Sequence, residues 1–189
     1  LNIETTPTFT LNVKVEDSAL VAGQRRSTSL TIQVTLTDVN EASPSFQNAP
    51  FAAAVSENEA IGYSIITVTA TDSDVGTNGQ VTYSIEGGNT ENKFRIEPTS
   101  GLITLNLLVD RETTNSYSIT LRATDGGGLT DTTTLTVTIT DFNDNAPNCT
   151  ASPYSATVAE NIVPMVSPIV TVACTDIDSG VNKDIQYAI

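Results

Sequence analysis

The sequence predicts an all-β protein made of tandem Greek-key β-sandwiches with about seven strands each. Apolar residues alternate with polar ones along several short runs, which is typical of strands with one buried face. Turn-forming Gly and Pro residues separate these runs. Segments of the sequence also recur at an interval of about 103 to 108 residues, which indicates a repeated structural unit.

The recurring segments divide the chain into the end of one unit, a complete second unit and the start of a third. Five pairs of segments match in the same order: 2–4 with 110–112, 16–17 with 124–125, 37–44 with 140–147, 55–58 with 158–161, and 71–74 with 175–178. We therefore expect units at 1–42, 43–145 and 146–189. Because both outer units are partial, we also expect the chain to be an excerpt of a longer protein.

Strands in the complete unit follow from its alternating apolar positions. The clearest runs are, in order, Ile66, Val68 and Ala70, then Tyr117, Ile119, Leu121 and Ala123, then Leu135, Val137 and Ile139. Turn residues lie between such runs at 76–79, 87–88, 98–101 and 126–128. No stretch shows convincingly the period of 3.6 residues that is typical of an amphipathic helix.

The composition excludes several classes of function. The chain has 22 acidic and 8 basic residues, for a net charge of −14, and a phosphate-binding surface needs the opposite balance, so nucleic acid is not an expected partner. It contains no His, which excludes His-assisted nucleophilic catalysis and His-ligated zinc. The longest apolar runs, such as 52–55, are far shorter than the roughly 20 residues of a membrane span.

The acids gather at the predicted strand ends and between the units. Asp72 and Asp74 are two positions apart, so both side chains can point to one side, and Asp110 and Glu112 repeat this spacing. Like charges packed this densely are unfavourable unless a cation neutralises them. Because every candidate ligand atom is oxygen, a hard cation such as Ca²⁺ is predicted. The alternative for any single acid is a solvated surface position.

These acids resemble the calcium motifs of extracellular cadherin repeats in order and in spacing. The matching residues are Glu57, Asp72 to Asp74, Asp110 to Glu112, Asp125 and Asp141 to Asn145. The resemblance covers essentially all 189 residues. It implies sandwiches of immunoglobulin-like architecture joined by linkers that each bind up to three Ca²⁺ ions.

At the linker between the second and third units, the resemblance implies three complete or nearly complete sites. The outermost site would use Glu57, Asp110, Glu112 and Asp144. The middle site would use Glu57, Glu112, Asp144, Asp141, Asp178 and the carbonyl of Phe142. The third would use Asn143, Asp176, Asp178 and the carbonyls of Asn145 and Asn182, and its usual last Asp would lie beyond Ile189.

The linker between the first and second units departs from the family pattern. Its matching positions are Asn2, Glu4, Asp38, Val39, Asn40, Glu41, Ala42, Asp72, Asp74, Asn78 and Asp125. Asn2 stands where the family has Asp, and Glu41 stands where it has a bridging Asp. We therefore expect unequal linkers, the first binding Ca²⁺ firmly only at the third site, which keeps Asn40, Asp72, Asp74, Asp125 and the Asn78 carbonyl.

The two cysteines also have an interpretation within this family. Cys149 follows the second linker, and Cys174 lies on the next strand, which the resemblance makes a neighbour. A disulfide is therefore predicted, and the alternative is a pair of buried thiols. Asn148 begins an Asn-Cys-Thr triplet that is an N-glycosylation acceptor in a secreted chain.

The resemblance implies a segment of an extracellular, calcium-dependent cell–cell adhesion protein. Its partners would be other cadherin molecules on an apposed cell or the same cell, and a segment outside this chain would anchor the parent protein in the plasma membrane. The chain has no Trp, so it is expected to belong to the stalk and not to the adhesive tip. One alternative is a module of a microbial surface adhesin or carbohydrate-binding assembly. Another treats Asp110 and Glu112 as the acid/base pair of a hydrolase, although we expect no enzyme.

Overall fold

A computed structural model describes residues 1–18, 20–21, 23–160 and 168–189. Asn161, which closes one of the recurring segments, lies outside these ranges. The strands of the described residues are β1 (Thr8–Glu16), β2 (Ser27–Thr35), β3 (Ser45–Phe46), β4 (Phe51–Ser56), β5 (Ser64–Thr67), β6 (Ala70–Thr71), β7 (Thr82–Gly87), β8 (Phe94–Ile96), β9 (Leu102–Leu105), β10 (Ser116–Thr124), β11 (Thr130–Thr140), β12 (Asn148–Cys149) and β13 (Cys174–Thr175). The helical elements that the structure describes are two short 3₁₀ turns, Thr90–Asn92 and Gly180–Lys183.

Strands β3 to β11 form a β-sandwich, which confirms the predicted fold class. One sheet has the order β4-β11-β10-β7, and the other has the order β5-β9-β8, with the short pair β3-β6 beside them. Strand β4 runs parallel to β11, and the remaining pairs are antiparallel. The parallel pair brings the ends of β4 and β11 to the same edge of the sandwich.

The core lies between the two sheets and contains the positions that alternation predicted. Ile119 and Leu121 of β10 and Leu135 of β11 are fully buried, and Ile103 and Leu105 of β9 face them from the other sheet. The Thr residues between the buried positions of β11 point to solvent. Each such large apolar side chain stabilises the fold by roughly 1.5–3 kcal/mol when it leaves water.

The predicted strand through Ile66, Val68 and Ala70 is divided into β5 and β6. Its first half, β5, pairs with β9, whereas its second half, β6, pairs with β3, and both pairs are antiparallel. At the break the Val68 N–H donates to the Gly101 carbonyl, and the Thr69 carbonyl accepts from the Gln47 N–H. The strand therefore changes partners without leaving these two backbone groups unpaired.

Gly101 is required at this crossing. Its φ is +70°, a conformation that favours glycine, and a Cβ built there would lie 2.2 Å from the Val68 carbonyl oxygen. A side chain would therefore both strain the backbone and push it away from β5.

Two short sheets flank the sandwich. Strands β1 and β2 pair as a regular antiparallel hairpin from Thr8↔Thr35 to Glu16↔Ser27. They correspond in sequence to β10 and β11, but their apolar side chains Leu11 and Val13 are exposed. Strands β12 and β13 form a second pair of only two residues each. Across the described ranges, we find no helix that is long and apolar enough to cross a membrane.

Candidate metal centre

The linker after the sandwich gathers acids because several strands end at one edge. Glu57 directly follows β4, and Asp141 directly follows β11, the parallel neighbour of β4. The Glu57 N–H donates to the Thr140 carbonyl, which holds the two strand ends together. Asp110 and Glu112 lie in the loop from β9 to β10, which returns to the same edge.

Glu57 fixes the position of the linker and of this loop. Its side chain is buried, with the residue only 7% exposed. One carboxylate oxygen accepts a 2.6 Å hydrogen bond from the Phe142 N–H, and the other accepts a 2.7 Å bond from the Arg111 N–H. The carboxylate therefore lies between the two segments that supply the neighbouring acids.

Two overlapping groups of three acids converge in this linker. Carboxylate oxygens of Glu57, Glu112 and Asp144 lie within 4.8 Å of one another, and so do those of Glu112, Asp141 and Asp178. Glu112 belongs to both groups, so two cation positions would share it. Asp178 comes from the segment after the linker, whereas the other acids belong to the sandwich or the linker itself.

The convergence of negative charge is visible in the pKa values of these acids. Burial, followed by repulsion from Glu57, raises the pKa of Glu112. Burial, followed by repulsion from Glu57 and Asp178, also raises the pKa of Asp144. Both carboxylates are therefore held in an environment that disfavours their negative charge, and a nearby cation would remove that penalty.

Asp141 and Asp110 behave differently because donors surround them. Burial acts to raise the pKa of Asp141, but hydrogen bonds from Asn182 and Ser179 and the charge of Arg111 leave it below its usual value. The Thr113 hydroxyl, which donates to Asp110 at 2.8 Å, lowers the pKa of that carboxyl. Both carboxylates therefore lie in surroundings that favour their negative charge.

Two further predicted ligands of this linker, Asp176 and Asn145, contact Asp178. Asp176 accepts a 2.9 Å hydrogen bond from the Asp178 N–H, and Asn145 donates a 2.8 Å bond to Oδ1 of Asp178. Oδ2 of Asp178 is buried without a partner. Phe142 and Asn143 are exposed at the surface of the linker.

The first linker repeats part of this arrangement. Carboxylate oxygens of Glu4, Glu41 and Asp74 lie within 4.8 Å of one another, so the longer side chain of Glu41 still reaches the group. Burial and the charges of Glu4, Asp74 and Asp38 raise the pKa of Glu41. Asp74 also accepts from the Ala42 N–H, at 3.2 Å to one oxygen.

Asn2 and Val39 contribute less to this group. The Asn2 side chain accepts from the N–H and hydroxyl of Thr5, at 2.9 and 3.0 Å, so it caps its own turn. Val39 has an exposed side chain, as expected for a position that the family pattern assigns to a backbone carbonyl.

Asp125 anchors the other side of the first linker. The residue is 5% exposed, and its Oδ1 accepts from the backbone N–H groups of Gly127, Gly128 and Leu129 and from the Asn40 amide. A Cβ on Gly127 would lie 2.2 Å from the Asn40 side chain, so glycine permits this approach. Oδ2 of Asp125 is buried without a partner.

The unpartnered oxygens show that the donor set fits a hard cation. Among the described residues, every buried side-chain oxygen without a hydrogen-bond partner belongs to a predicted ligand: both oxygens of Glu4, Oδ1 of Asp38 and Asn40, and Oδ2 of Asp72, Asp125 and Asp178. A buried carboxylate or amide oxygen without a partner is unfavourable by about 1–3 kcal/mol or more. Six of these seven atoms belong to the first linker and one to the second. Carboxylate and amide oxygens are the ligand type that Ca²⁺ takes.

Sequence reasoning missed the side-chain contacts of two Asn residues, and it expected Arg111 to be a local charge partner without predicting that it reaches Asp141. The side-chain amides of Asn78 and Asn182 donate to Asp38 and Asp141, although the family pattern assigned only their carbonyls. The Arg111 guanidinium contacts Glu112 and Asp141. Two signals in the sequence were available: Asn78 recurs as Asn182, and Arg111 lies between two acids.

The cysteines are joined, and the buried-thiol alternative is wrong. Cys149 and Cys174 face each other in the β12-β13 pair and form a disulfide. Asn148, beside them, has an exposed side chain, which leaves the glycosylation triplet accessible. The disulfide closes the segment that follows the second linker.

Comparison with known proteins agrees with this architecture. Residues 51–140 match the family model of the Cadherin domain. The chain belongs to the cadherin superfamily. It is 40% identical over 186 residues to the protocadherin-like wing polarity protein stan of Drosophila melanogaster, covering 95% of this chain and 5% of that protein. It is 41% identical over 165 residues to mouse protocadherin Fat 4, covering 86% of this chain and 3% of that protein.

Solved cadherin structures resemble this one along almost its whole length. Mouse cadherin-23 EC22-24 superposes with a TM-score of 0.82 at 28% identity, over 97% of this chain and 58% of that one. PcdhgB3 EC1-4 superposes with a TM-score of 0.80 at 28% identity, over 97% of this chain and 44% of that one. The chain spans only a few per cent of the curated relatives it matches, such as 5% of stan.

Proposed function

We propose that this chain is a segment of the ectodomain of a calcium-dependent cell–cell adhesion protein, in which Ca²⁺ bound at the linkers makes successive repeats a stiff rod. One observation carries the proposal: in the described residues, the buried unpartnered side-chain oxygens all belong to acids and amides of the two linkers. No catalytic arrangement is needed to explain them. The predicted ligand sets of the two linkers contain 13 of the 22 acidic residues.

The linker residues perform this function by sharing ligands between units. Bound Ca²⁺ would supply the positive charge that the converging carboxylates lack. Glu112 and Asp141 come from the sandwich and its linker, and Asp178 comes from the following segment, so ligation by all three joins the two. Without a counter-charge these carboxylates repel one another, and the relative positions of the units become less restricted.

The proposed units are 1–42, 43–145 and 146–189, with the ligand sets given above for each linker. The exposed apolar face of the β1-β2 hairpin supports a partial first unit, because the equivalent faces of β10 and β11 are buried in the sandwich. Three ions would bind at the second linker. The first linker would bind most firmly at the site of Asn40, Asp72, Asp74 and Asp125.

The proposed location is extracellular, in the ectodomain of a plasma-membrane protein, with other cadherin molecules as partners. The disulfide supports an oxidising compartment. Relatives from Drosophila, mouse and human favour adhesion in an animal over a microbial adhesin. We assign this segment to the stalk and assign it no enzymatic activity.

Small-angle X-ray scattering with Ca²⁺ and with chelator tests the proposal. We expect a larger maximum dimension and a narrower range of shapes with Ca²⁺. Asp141→Asn combined with Asp178→Asn should weaken this response, whereas Glu16→Gln, an exposed acid on β1, should keep it. Identical scattering curves for the parent chain in both conditions would contradict the rod mechanism.

A further inference from the structure

We propose that Arg111 is a built-in cation of the second linker, which holds the sandwich to the following segment and competes with Ca²⁺ for the same carboxylates. The inference rests on the proposed calcium-binding function. It assigns to Arg111 a positioning role and a regulatory one, because the residue would set how strongly this linker depends on Ca²⁺.

The Arg111 guanidinium contacts two acids of the second linker. One of its terminal nitrogens pairs with a carboxylate oxygen of Glu112, and its Nε pairs with Oδ1 of Asp141. The three side chains are only 17%, 15% and 13% exposed, respectively, so water screens these pairs weakly. Glu112 and Asp141 are two of the three acids of one proposed cation position.

Arg111 also reaches across the boundary between units. The nitrogen that pairs with Glu112 lies 3.2 Å from the Ile177 carbonyl, to which it donates. Ile177 belongs to the segment after the linker, whereas Arg111 and Glu112 belong to the sandwich. The guanidinium therefore makes a cohesive contact of the kind that the proposed bridging ion would make.

The first linker provides an internal comparison, because Ile3 stands where the second has Arg111. Both linkers keep the same 2.8 Å hydrogen bond from an Asn amide, Asn78 to Asp38 and Asn182 to Asp141. Yet both carboxylate oxygens of Glu4 and Oδ1 of Asp38 are unpartnered. At the second linker one carboxylate oxygen of Glu112 pairs with Arg111, and Oδ1 of Asp141 forms an ion pair with Arg111 and accepts from the Ser179 N–H.

Two consequences follow from this difference. At the second linker Arg111 adds a cationic contact between units that needs no metal. At the first linker Asn78 makes the metal-free contact, with Asp38, and both carboxylate oxygens of Glu4 stay unpartnered. The second linker should also bind its middle ion less tightly than its ligands alone would allow. A cation that takes oxygens from Glu112 and Asp141 must weaken their pairs with Arg111 and tolerate its positive charge.

Arg111→Met tests both consequences in the full chain, because it removes the charge and keeps an unbranched side chain. Isothermal titration should show Ca²⁺ binding about tenfold tighter at one site of the second linker, a change equivalent to roughly 1.4 kcal/mol. In chelator, ¹⁵N relaxation should show that residues 168–189 move more independently of the sandwich. Ile3→Arg should produce the opposite changes at the first linker.

Arg122→Met is the matched control, because Arg122 pairs with Glu86 on the sheet and lies outside the proposed ligand sets. It changes the net charge equally and should alter neither measurement. Unchanged or weaker Ca²⁺ binding by Arg111→Met, or unchanged relaxation in chelator, would overturn the proposal. If the parent chain binds no Ca²⁺, both the proposed function and the competition of Arg111 with Ca²⁺ are wrong. The relaxation experiment in chelator would still decide whether Arg111 holds the following segment to the sandwich.

Discussion

The side-chain amide of Asn182 donates a 2.8 Å hydrogen bond to Oδ2 of Asp141, across the boundary between the sandwich and the segment that follows it. Asn78 and Asp38 make the same bond at the first linker. The repetition indicates a function beyond the carbonyl ligation that the family pattern assigns to these Asn residues. In each linker an amide holds the next unit against an acid that would also bind the ion.

Asn182→Ala should therefore loosen the second linker before any metal is bound. A hydrogen bond to a charged group contributes about 1.5–3 kcal/mol, so exchange of the neighbouring Ser179 amide with solvent should accelerate at least tenfold. The Ser179 N–H reports this directly because it donates to Asp141. Asn106→Ala, which removes an amide bonded to the Asn92 carbonyl within the sandwich, should leave Ser179 exchange unchanged.

Strands were predictable from the sequence where the alternation of apolar and polar residues alone decides which side chains are buried. Alternation identified Ile119, Leu121, Leu135 and Val137, all of which are fully buried, because period two fixes which side of a strand faces the core. The division between β5 and β6 was not predictable in this way. It depends on the Gly101 carbonyl, which lies far along the chain and accepts from Val68.

In the candidate site, too, contacts between residues far apart in the chain were not predictable from the sequence. Recurring acids indicated both linkers, because the predicted ligand residues are spaced along the chain in a fixed pattern. The contact of Arg111 with Asp141 and the Ile177 carbonyl was not predictable, since it depends on how two units lie against each other. Sequence spacing thus predicted the acids that the structure brings together in each linker, but not all the contacts that Arg111 makes there.

Leu121→Ala tests the core of the sandwich. The side chain is fully buried between the sheets, so its truncation should lower the free energy of unfolding by about 2–5 kcal/mol. Urea unfolding followed by tyrosine fluorescence, with Ca²⁺ present, measures the change. Leu108→Ala serves as the control because Leu108 is 58% exposed, and it should change stability by no more than about 0.5 kcal/mol. Equal effects of the two substitutions would contradict the assigned core.

Removal of the disulfide should act on the third unit alone. The bond joins residues 25 positions apart, and chain entropy assigns such a link a stabilisation of about 3 kcal/mol. The double variant Cys149→Ser with Cys174→Ser should therefore increase hydrogen exchange of Thr150, whose N–H donates to the Ala173 carbonyl. The amides of β10 and β11 should exchange at the parent rate. Faster exchange of those core amides would show that the units are energetically coupled.

Glu97 should make the sandwich sensitive to acid independently of the linkers. Its carboxylate accepts from the backbone N–H groups of Ser100 and Thr99, at 2.6 and 2.9 Å, and these bonds, that of Ser100 first, lower its pKa. A carboxyl with a lowered pKa in the folded state stabilises the fold above its unfolded pKa, and that contribution is lost as pH falls through the folded value. Glu97→Gln should therefore unfold at a lower temperature than the parent at pH 7, and the difference should shrink toward pH 3.

The first linker departs from the family pattern at Asn2 and Glu41. Asn2→Asp adds a negative charge and keeps the oxygen that accepts from Thr5, so the local turn should survive. The Glu41 carboxylate converges with those of Glu4 and Asp74. Glu41→Asp shortens this side chain by one methylene, to the length of Asp144 at the matching position of the second linker. Because ligand charge tunes calcium affinity, the double variant should bind Ca²⁺ at the first linker about tenfold more tightly at its first two sites. Isothermal titration of the parent should show one tight and two weaker sites there, and three equally tight sites would contradict the expected inequality of the linkers.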